Sequence, residues 1–471
     1  MAMNSKIEKL GLRLNKTLDG IDQQASKWVA RSLDKHLSIG ITGFSGSGKS
    51  TFITSLIHQL KYSNHAHLGG FLPARDERLL KVELQPLDDL PLFDYQQGIQ
   101  ALADDPPAWP PSTTHISGCR LIIEFKKKSM LPTFTGETRR FTLELRDYPG
   151  EWLLDIAMLQ QDYRQWSMDT AALCSKGIRH QLAEEMQKEF NDLDPLAPID
   201  EQHIEALFVR YRSFLVTCKT AGLTFVQPGR ALLPDSTDFP VFIPLFNLQT
   251  LSPQQLDNAD DDSLYKVMQQ RYKTYLKNFV QPFYKTFFRG IDRQVVLIDV
   301  LKALSGGKEK FDDMVIAFSQ IIDCYRVGHN ALLNRLFSPQ VEKILFLASK
   351  PDRILMNQHE SLRRLCDDII SHICPQSVRN RIEIETEVAA AVRTTHDHND
   401  HLTARLLDGQ YGELRHPAIP DKLPDADQWQ QLSRWNPPVL RAPLNPDLIM
   451  GGRLAHIRMD KVLRDLIGDK F

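Results

Sequence analysis

The stretch that decides the fold is HLSIGITGFSGSGKSTFITSLIHQL, residues 36–60. His36 to Phe44 reads as a short apolar strand and Thr51 to Leu60 as a helix, with a glycine-rich turn between them. Within it Gly43-Phe44-Ser45-Gly46-Ser47-Gly48-Lys49-Ser50 matches GxxxxGK[ST] at every fixed position. Glycines let successive backbone N–H groups point inward at phosphate oxygens, and the following helix adds its positive dipole end. Phe44, Ser45, Gly46, Ser47, Gly48, Lys49, Ser50 and Thr51 are therefore the expected phosphate cradle. Lys49 is expected to reach the β and γ phosphates and the Ser50 hydroxyl to ligate Mg²⁺. A flexible Gly/Ser linker has the same composition, but a linker has no reason to sit between a buried strand and an apolar helix.

Working outward, LIIEF (121–125) and FTLEL (141–145) read as neighbouring antiparallel strands. The second ends in Asp147-Tyr148-Pro149-Gly150, where a carboxylate can reach the metal and the Gly150 N–H the γ-phosphate. Alone, such a turn is common; its place on the strand expected after a phosphate-loop helix gives it meaning. Trp109-Pro110-Pro111-Ser112-Thr113-Thr114 precedes the first of these strands, and Thr113 is the expected hydroxyl that senses the γ-phosphate through Mg²⁺. Ser349-Lys350-Pro351-Asp352 closes the apolar strand KILFLA. A carboxylate there accepts two hydrogen bonds from guanine's N1–H and exocyclic amine, a pattern adenine lacks. The Lys350 stem can lie against the base, although Ser and Asp also favour plain helix-capping turns.

In this order the segments resemble the G motifs of TRAFAC-type GTPases, with Ala391-Val392-Arg393 a loose fifth segment in which Val392 backs the base. WPPST, RDYPGEWLLD, VVLIDVL and FLASKPD more closely resemble the YcjX-like family of bacterial P-loop proteins, over most of the chain. The resemblance implies a fold that binds GTP or GDP with Mg²⁺ and carries helical insertions. It also implies a link to envelope stress, with no defined downstream reaction; a nucleotide-dependent switch is the leading functional reading of the motifs, and slow hydrolysis follows from the Glu151 departure below. The expected partners are an effector protein that reads the switch and a peripheral membrane or membrane-protein contact, for which Lys6, Lys9, Arg13 and Lys16 beside the N-terminal apolar stripe are the ground. Two departures from the general GTPase pattern stand out. Ser349 replaces an Asn or Thr, removing an amide that ties the base loop to the phosphate loop, and Glu151 stands where many small GTPases carry a water-orienting Gln. Glu151 reads equally as a general base or as an acid at a helix start. The expected catalytic set is Lys49, Thr113, Gly150 and Glu151, and the expected metal ligands are Ser50, Thr113 and Asp147. Arg146, Arg75 and Arg164 are candidate arginine fingers by location only. An ATP-dependent kinase or ATPase, and a scaffold with structural nucleotide, are the competing functions.

The remaining pattern gives an α/β fold class: a P-loop NTPase domain whose mostly parallel sheet is covered by helices on both faces, with an inserted helical domain. Expected segments are an amphipathic helix (1–35), a first G-domain part (36–165) with residues 60–112 inserted, and a helical insertion (166–290). A second G-domain part (291–415) and a C-terminal extension ending in a helix (416–471) complete the chain. Trp152 to about Trp166 reads as one helix.

Hydrophobic content of 42% and charged content of 25% are those of an ordinary folded protein. A net charge of −2 supplies no field toward nucleic acid. The six cysteines are scattered without a CxxC pair, which excludes a zinc clamp or redox pair of that spacing. With no apolar leader and no membrane-length apolar run, the expected address is cytoplasmic, with peripheral membrane contact through the N-terminal stripe left open.

Overall fold

The computed structural model describes residues 35–112, 115–127, 137–232, 239–286, 290–325, 341–437 and 439–471. The predicted N-terminal helix, up to residue 34, and Thr113 lie outside them; Lys35 already belongs to the first strand. Seven strands form the central sheet: β1 Lys35–Gly43, β2 Leu79–Gln85, β3 Ser117–Lys126, β4 Thr138–Asp147, β5 Arg293–Ile298, β6 Lys343–Ser349 and β7 Glu383–Ala389. Their order is β2-β3-β4-β1-β5-β6-β7. β4, β1, β5, β6 and β7 run parallel, whereas β2, β3 and β4 pair antiparallel.

Side-chain alternation assigns the two faces. Leu37, Ile39 and Ile41 of β1, with Val295, Leu297, Leu345 and Leu347, join Phe52, Ile53 and Leu56 of helix α1 (Lys49–Lys61) in one core. Val296, Ile298, Ile344, Phe346 and Ala348 point to the other face and join a second, larger core. Each strand in the middle of the sheet is thus buried on both sides, which is why these segments read as unbroken apolar runs.

That larger core continues from the sheet into helices α4 (Tyr163–Cys174), α5 (Gly177–Asn191), α6 (Glu201–Thr220) and α7 (Leu264–Tyr275). Between α6 and α7 lies irregular chain that is nonetheless buried at Phe225, Val226, Phe242, Ile243 and Leu245. Its carbonyls need donors, and tyrosines provide them: Tyr211 Oη donates to Gln227 O at 2.7 Å and Tyr163 Oη to Ile243 O at 2.7 Å.

Several elements depart from the sequence reading. The helix predicted from Trp152 to Trp166 breaks: α3 spans only Glu151–Ala157, Gln161 is extended, and Asp162 caps α4 by accepting from Gln165 N at 2.8 Å. Residues 60–112 hold edge strand β2 and helix α2 (Tyr95–Ala103), whose weak periodicity hid them. A three-stranded antiparallel sheet, Thr395–Asp397, Leu402–Arg405 and Tyr411–Leu414, was not predicted, because strands this short carry little alternation. RQVVLIDV (293–300) reads as one strand, yet β5 ends at Ile298, and Val300 already begins a short helix capped by Asp299.

Candidate functional site

The carboxyl ends of β1, β4, β5 and β6 lie at one edge of the sheet: Ile41 pairs with Asp147, Gly43 with Leu297 and Ile298 with Ala348. In a parallel sheet this edge, where the crossovers diverge to opposite sides, leaves a crevice. A cleft of about 540 Å³ occupies it.

One end of the cleft is the loop between β1 and α1. Gly46 and Gly48 have φ of 84° and 90°, a left-handed conformation that side chains resist, and Ser47 N donates back to Phe44 O at 2.9 Å. The loop therefore wraps around the space ahead of α1, whose first amides have no partner within the helix. Ser47 Oγ is buried with no partner among the described residues, as suits a cradle built for an anion. Lys49 and Asp147, 98 residues apart, are buried together as an ion pair. Gly150 packs onto the loop so closely that a Cβ there would lie 2.7 Å from Gly43 O and 3.0 Å from Phe44 N. Its glycine is a matter of close approach, since its φ of −64° suits any residue.

The other end is built by β6, β7 and the turns that leave them. Asp352 is buried, and its Oδ2 accepts from the Thr394 hydroxyl and, at 3.2 Å, from Thr394 N. Thr395 Oγ1 donates to Asp352 O at 2.6 Å. Burial raises the Asp352 pKa and the Thr394 hydrogen bond opposes that rise. Val392 and Ala391 line the cleft beside it, and Ser55 Oγ of α1 holds the Ala391 carbonyl at 2.6 Å. Lys350, in a left-handed turn at φ 60°, donates to Gly46 O and pairs with Asp299 Oδ2 at 2.8 Å. Burial works against the Asp299 charge, but the neighbouring Lys350 and Arg353 charges keep its carboxyl below the usual range. The tie that Ser349 was expected to lose is thus made by the Lys350 ammonium, while Ser349 Oγ donates to Ile298 O at 3.2 Å.

Over the cleft, Trp109, Pro110 and Ser112 approach, and the Trp109 indole donates to Leu440 O of the C-terminal extension at 3.0 Å. On the side of Gly150, Glu151 opens α3 and pairs with Lys219 of α6 at 2.8 Å; both line the cleft. None of the three arginines singled out from the sequence lines it. Arg146 is held by Glu144 and Asp89, Arg75 by Asp76, and Arg164 reaches the Leu251 carbonyl. The structure thus gathers Gly43 to Thr51, Glu151, Lys350, Asp352 and Val392 around one cleft, with Asp147 and Gly150 packed on its loop.

Sequence reasoning passed over Thr394, Asp299 and Lys219. Asp299 carried a usable signal, a carboxylate closing an apolar strand as Asp147 does. Thr394 comes directly after Arg393, but nothing local marks its hydroxyl. Lys219 lies in a helix of the insertion with no motif around it.

Two comparisons bear on this cleft. A family model described as YcjX-like family, DUF463 matches residues 37–471. The chain is 35% identical over 464 residues to a protein named Ras-like GTPase YcjX from Escherichia coli K12, covering 94% of this chain and 97% of that one. It is 33% identical over 482 residues to a protein of the same name from Shewanella oneidensis MR-1, covering 97% and 99%.

Proposed function

The chain belongs to the YcjX-like family, and from that membership together with the cleft we propose a Mg²⁺-dependent GTPase that hydrolyses GTP to GDP and phosphate. The observation that carries the base assignment is Asp352. It is a buried carboxylate oriented by Thr394, at the far end of a cleft whose other end is the glycine-rich loop. An oriented carboxylate accepts paired N–H donors from guanine and has no such pair to accept from adenine.

Lys49 and the amides at the start of α1 receive the phosphates, and Gly150 N–H is the contact for the γ-phosphate. Ser50 and Asp147, with Thr113, are the proposed Mg²⁺ ligands; hydroxyl and carboxylate oxygens are the donors this hard cation prefers. When bound, Mg²⁺ offsets the negative charge of the β and γ phosphates. Hydrolysis is slow in this reading, because Glu151 has no amide N–H₂ with which to orient water as a Gln does.

The switch reading draws support from the grip of the insertion on α3. Gln227 Nε2 donates to Leu154 O at 2.6 Å, Gly229 N to Asp155 Oδ1 at 2.7 Å and Tyr275 Oη to Asp155 Oδ2 at 2.6 Å. The Arg230 guanidinium lies 3.6 Å over the Trp152 ring. Burial pushes the Asp155 carboxyl up to about 6 while these donors pull it down. A shift of Gly150 with the γ-phosphate is therefore carried through α3 into the helices of the insertion, the proposed surface for an effector. A role at the stressed envelope rests on the family resemblance; no described helix is long and apolar enough to cross a membrane.

Steady-state phosphate release from GTP and from ATP, by the wild type and by Lys49→Ala, tests the proposal. GTP turnover that the variant loses is expected. Preference for ATP, left intact by Asp352→Asn, would sink it in favour of a kinase or ATPase; binding with no turnover would leave a scaffold.

A further inference from the structure

Among the described residues, three lysine–carboxylate pairs surround the cleft. Two are made where the sheet's strands pass into the loops and helices that follow them: Lys49, the first residue of α1, with Asp147 at the end of β4, and Lys350 after β6 with Asp299 after β5. The third is different. Lys219 comes from the last turn of α6, a helix of the insertion, and pairs with Glu151 at 2.8 Å on the side of the cleft next to Gly150.

We propose that Lys219 is the cation which the insertion supplies in cis to the hydrolytic step, acting as one unit with Glu151. The inference rests on the GTPase reading and goes beyond it, because it assigns the stimulating charge to this chain rather than to an external activator. A phosphoryl-transfer site needs positive charge where the γ-phosphate oxygens gain charge, and phosphoryl-transfer enzymes commonly place a mobile cation there. Glu151 alone has the wrong sign for that place. Paired with an ammonium, the carboxylate belongs to a couple with no net charge, accepts a hydrogen bond from the attacking water, and leaves Lys219 two further N–H donors for phosphate oxygens. In the step, the water oxygen bonds to the γ-phosphorus and the bond to the bridging oxygen breaks with its electron pair on GDP. One water proton stays on the phosphate, and the other passes to solvent by way of Glu151.

The lysine is well placed for such a duty. Its backbone closes a rigid helix end: Gly222, at φ 94°, donates to Lys219 O at 3.0 Å and Leu223 N to Cys218 O at 3.0 Å, with Cys218 fully buried. The ammonium side is not frozen in the core, since the side chain keeps 36% of its exposure against 11% for Glu151. A fixed base with a free tip is what a charge that must track the γ-phosphate requires. Lys219 also sits eight residues before the segment Gln227 to Arg230 that grips α3, so charge and grip arrive together.

Single-turnover and steady-state GTP hydrolysis by the full chain, with affinity for a fluorescent non-hydrolysable GTP analogue, tests this on Lys219→Gln, Lys219→Arg and Glu151→Gln. Expected for Lys219→Gln is a kcat about a hundredfold lower, with analogue affinity within about threefold of wild type and an unchanged melting temperature. Lys219→Arg, which restores the charge, should recover at least a tenth of the wild-type rate. Glu151→Gln leaves the ammonium in place and supplies a water-orienting amide, so its kcat should stay well above that of Lys219→Gln. Turnover by the wild type that Lys219→Gln leaves unchanged overturns this inference and spares the GTPase reading. A loss that Lys219→Arg does not relieve, or one that comes with weakened analogue binding and a lowered melting temperature, marks a structural lysine and also overturns it. No turnover by the wild type overturns both.

Discussion

The two ends of the cleft are assembled in opposite ways. At the proposed phosphate end, eight consecutive residues, Gly43 to Ser50, provide the loop, the helix start and the lysine, and Asp147 and Gly150 pack onto them from elsewhere. At the base end, Asp352 is oriented by Thr394, 42 residues away, and Lys350 reaches the phosphate loop across 304 residues. The first end is a property of local backbone, the second of side chains that meet only in the folded chain. Variants at the phosphate end should therefore abolish turnover of every nucleotide, and variants at the base end should change which nucleotide is used.

The largest effect is expected from Lys49→Ala: phosphate release from GTP falls by about a thousandfold, since a charge-stabilising donor is lost from the reacting end. The contrast breaks if this variant keeps turnover and merely changes the ratio of GTP to ATP. Next comes Asp352→Asn, which should weaken GTP binding by about a hundredfold, the value of a hydrogen-bonded charged acceptor, and improve binding of xanthosine triphosphate. Equal losses for both nucleotides would place Asp352 outside base recognition.

Gly150→Ala is expected to cost about 1–3 kcal/mol through overpacking, because the new methyl meets the Gly43 carbonyl rather than a movable side chain. Its signature is a loss of turnover larger than the loss of affinity for a non-hydrolysable analogue, measured side by side. Thr394→Val keeps the backbone N–H and removes the hydroxyl, so GTP affinity should drop only about tenfold.

The smallest effect is a pH dependence. Asp352 accepts from guanine only as a carboxylate, and burial raises its pKa. GTP affinity should therefore fall on acidification sooner than the ordinary aspartate value of about 3.9 implies, whereas Asp352→Asn should lack this component. A titration of analogue binding in both proteins reads the difference.

Legibility in the sequence divides along the same line. The strand-loop-helix at residues 36–60, the antiparallel pair ending at Asp147 and the strand KILFLA are legible, since each carries its own periodicity or turn chemistry. β2 and the small sheet of residues 395–414 were not, because their pairing partners rather than their own sequences make them strands. The Trp152 to Trp166 helix was misread for a related reason: its apolar positions continue in register, but Asp162 captures the Gln165 amide and starts a new helix.

The sequence by itself determined the glycine-rich loop and the mostly parallel α/β sheet behind it. Both rest on short-range constraints, the positive φ at Gly46 and Gly48 and the apolar runs of strands buried on both faces. Only the tertiary structure decided that Lys350 rather than Ser349 ties the two loops, that Thr394 orients Asp352, and that Lys219 meets Glu151. Those contacts join a side chain to a distant element, and their geometry exists only once the sheet and the elements around it have packed together.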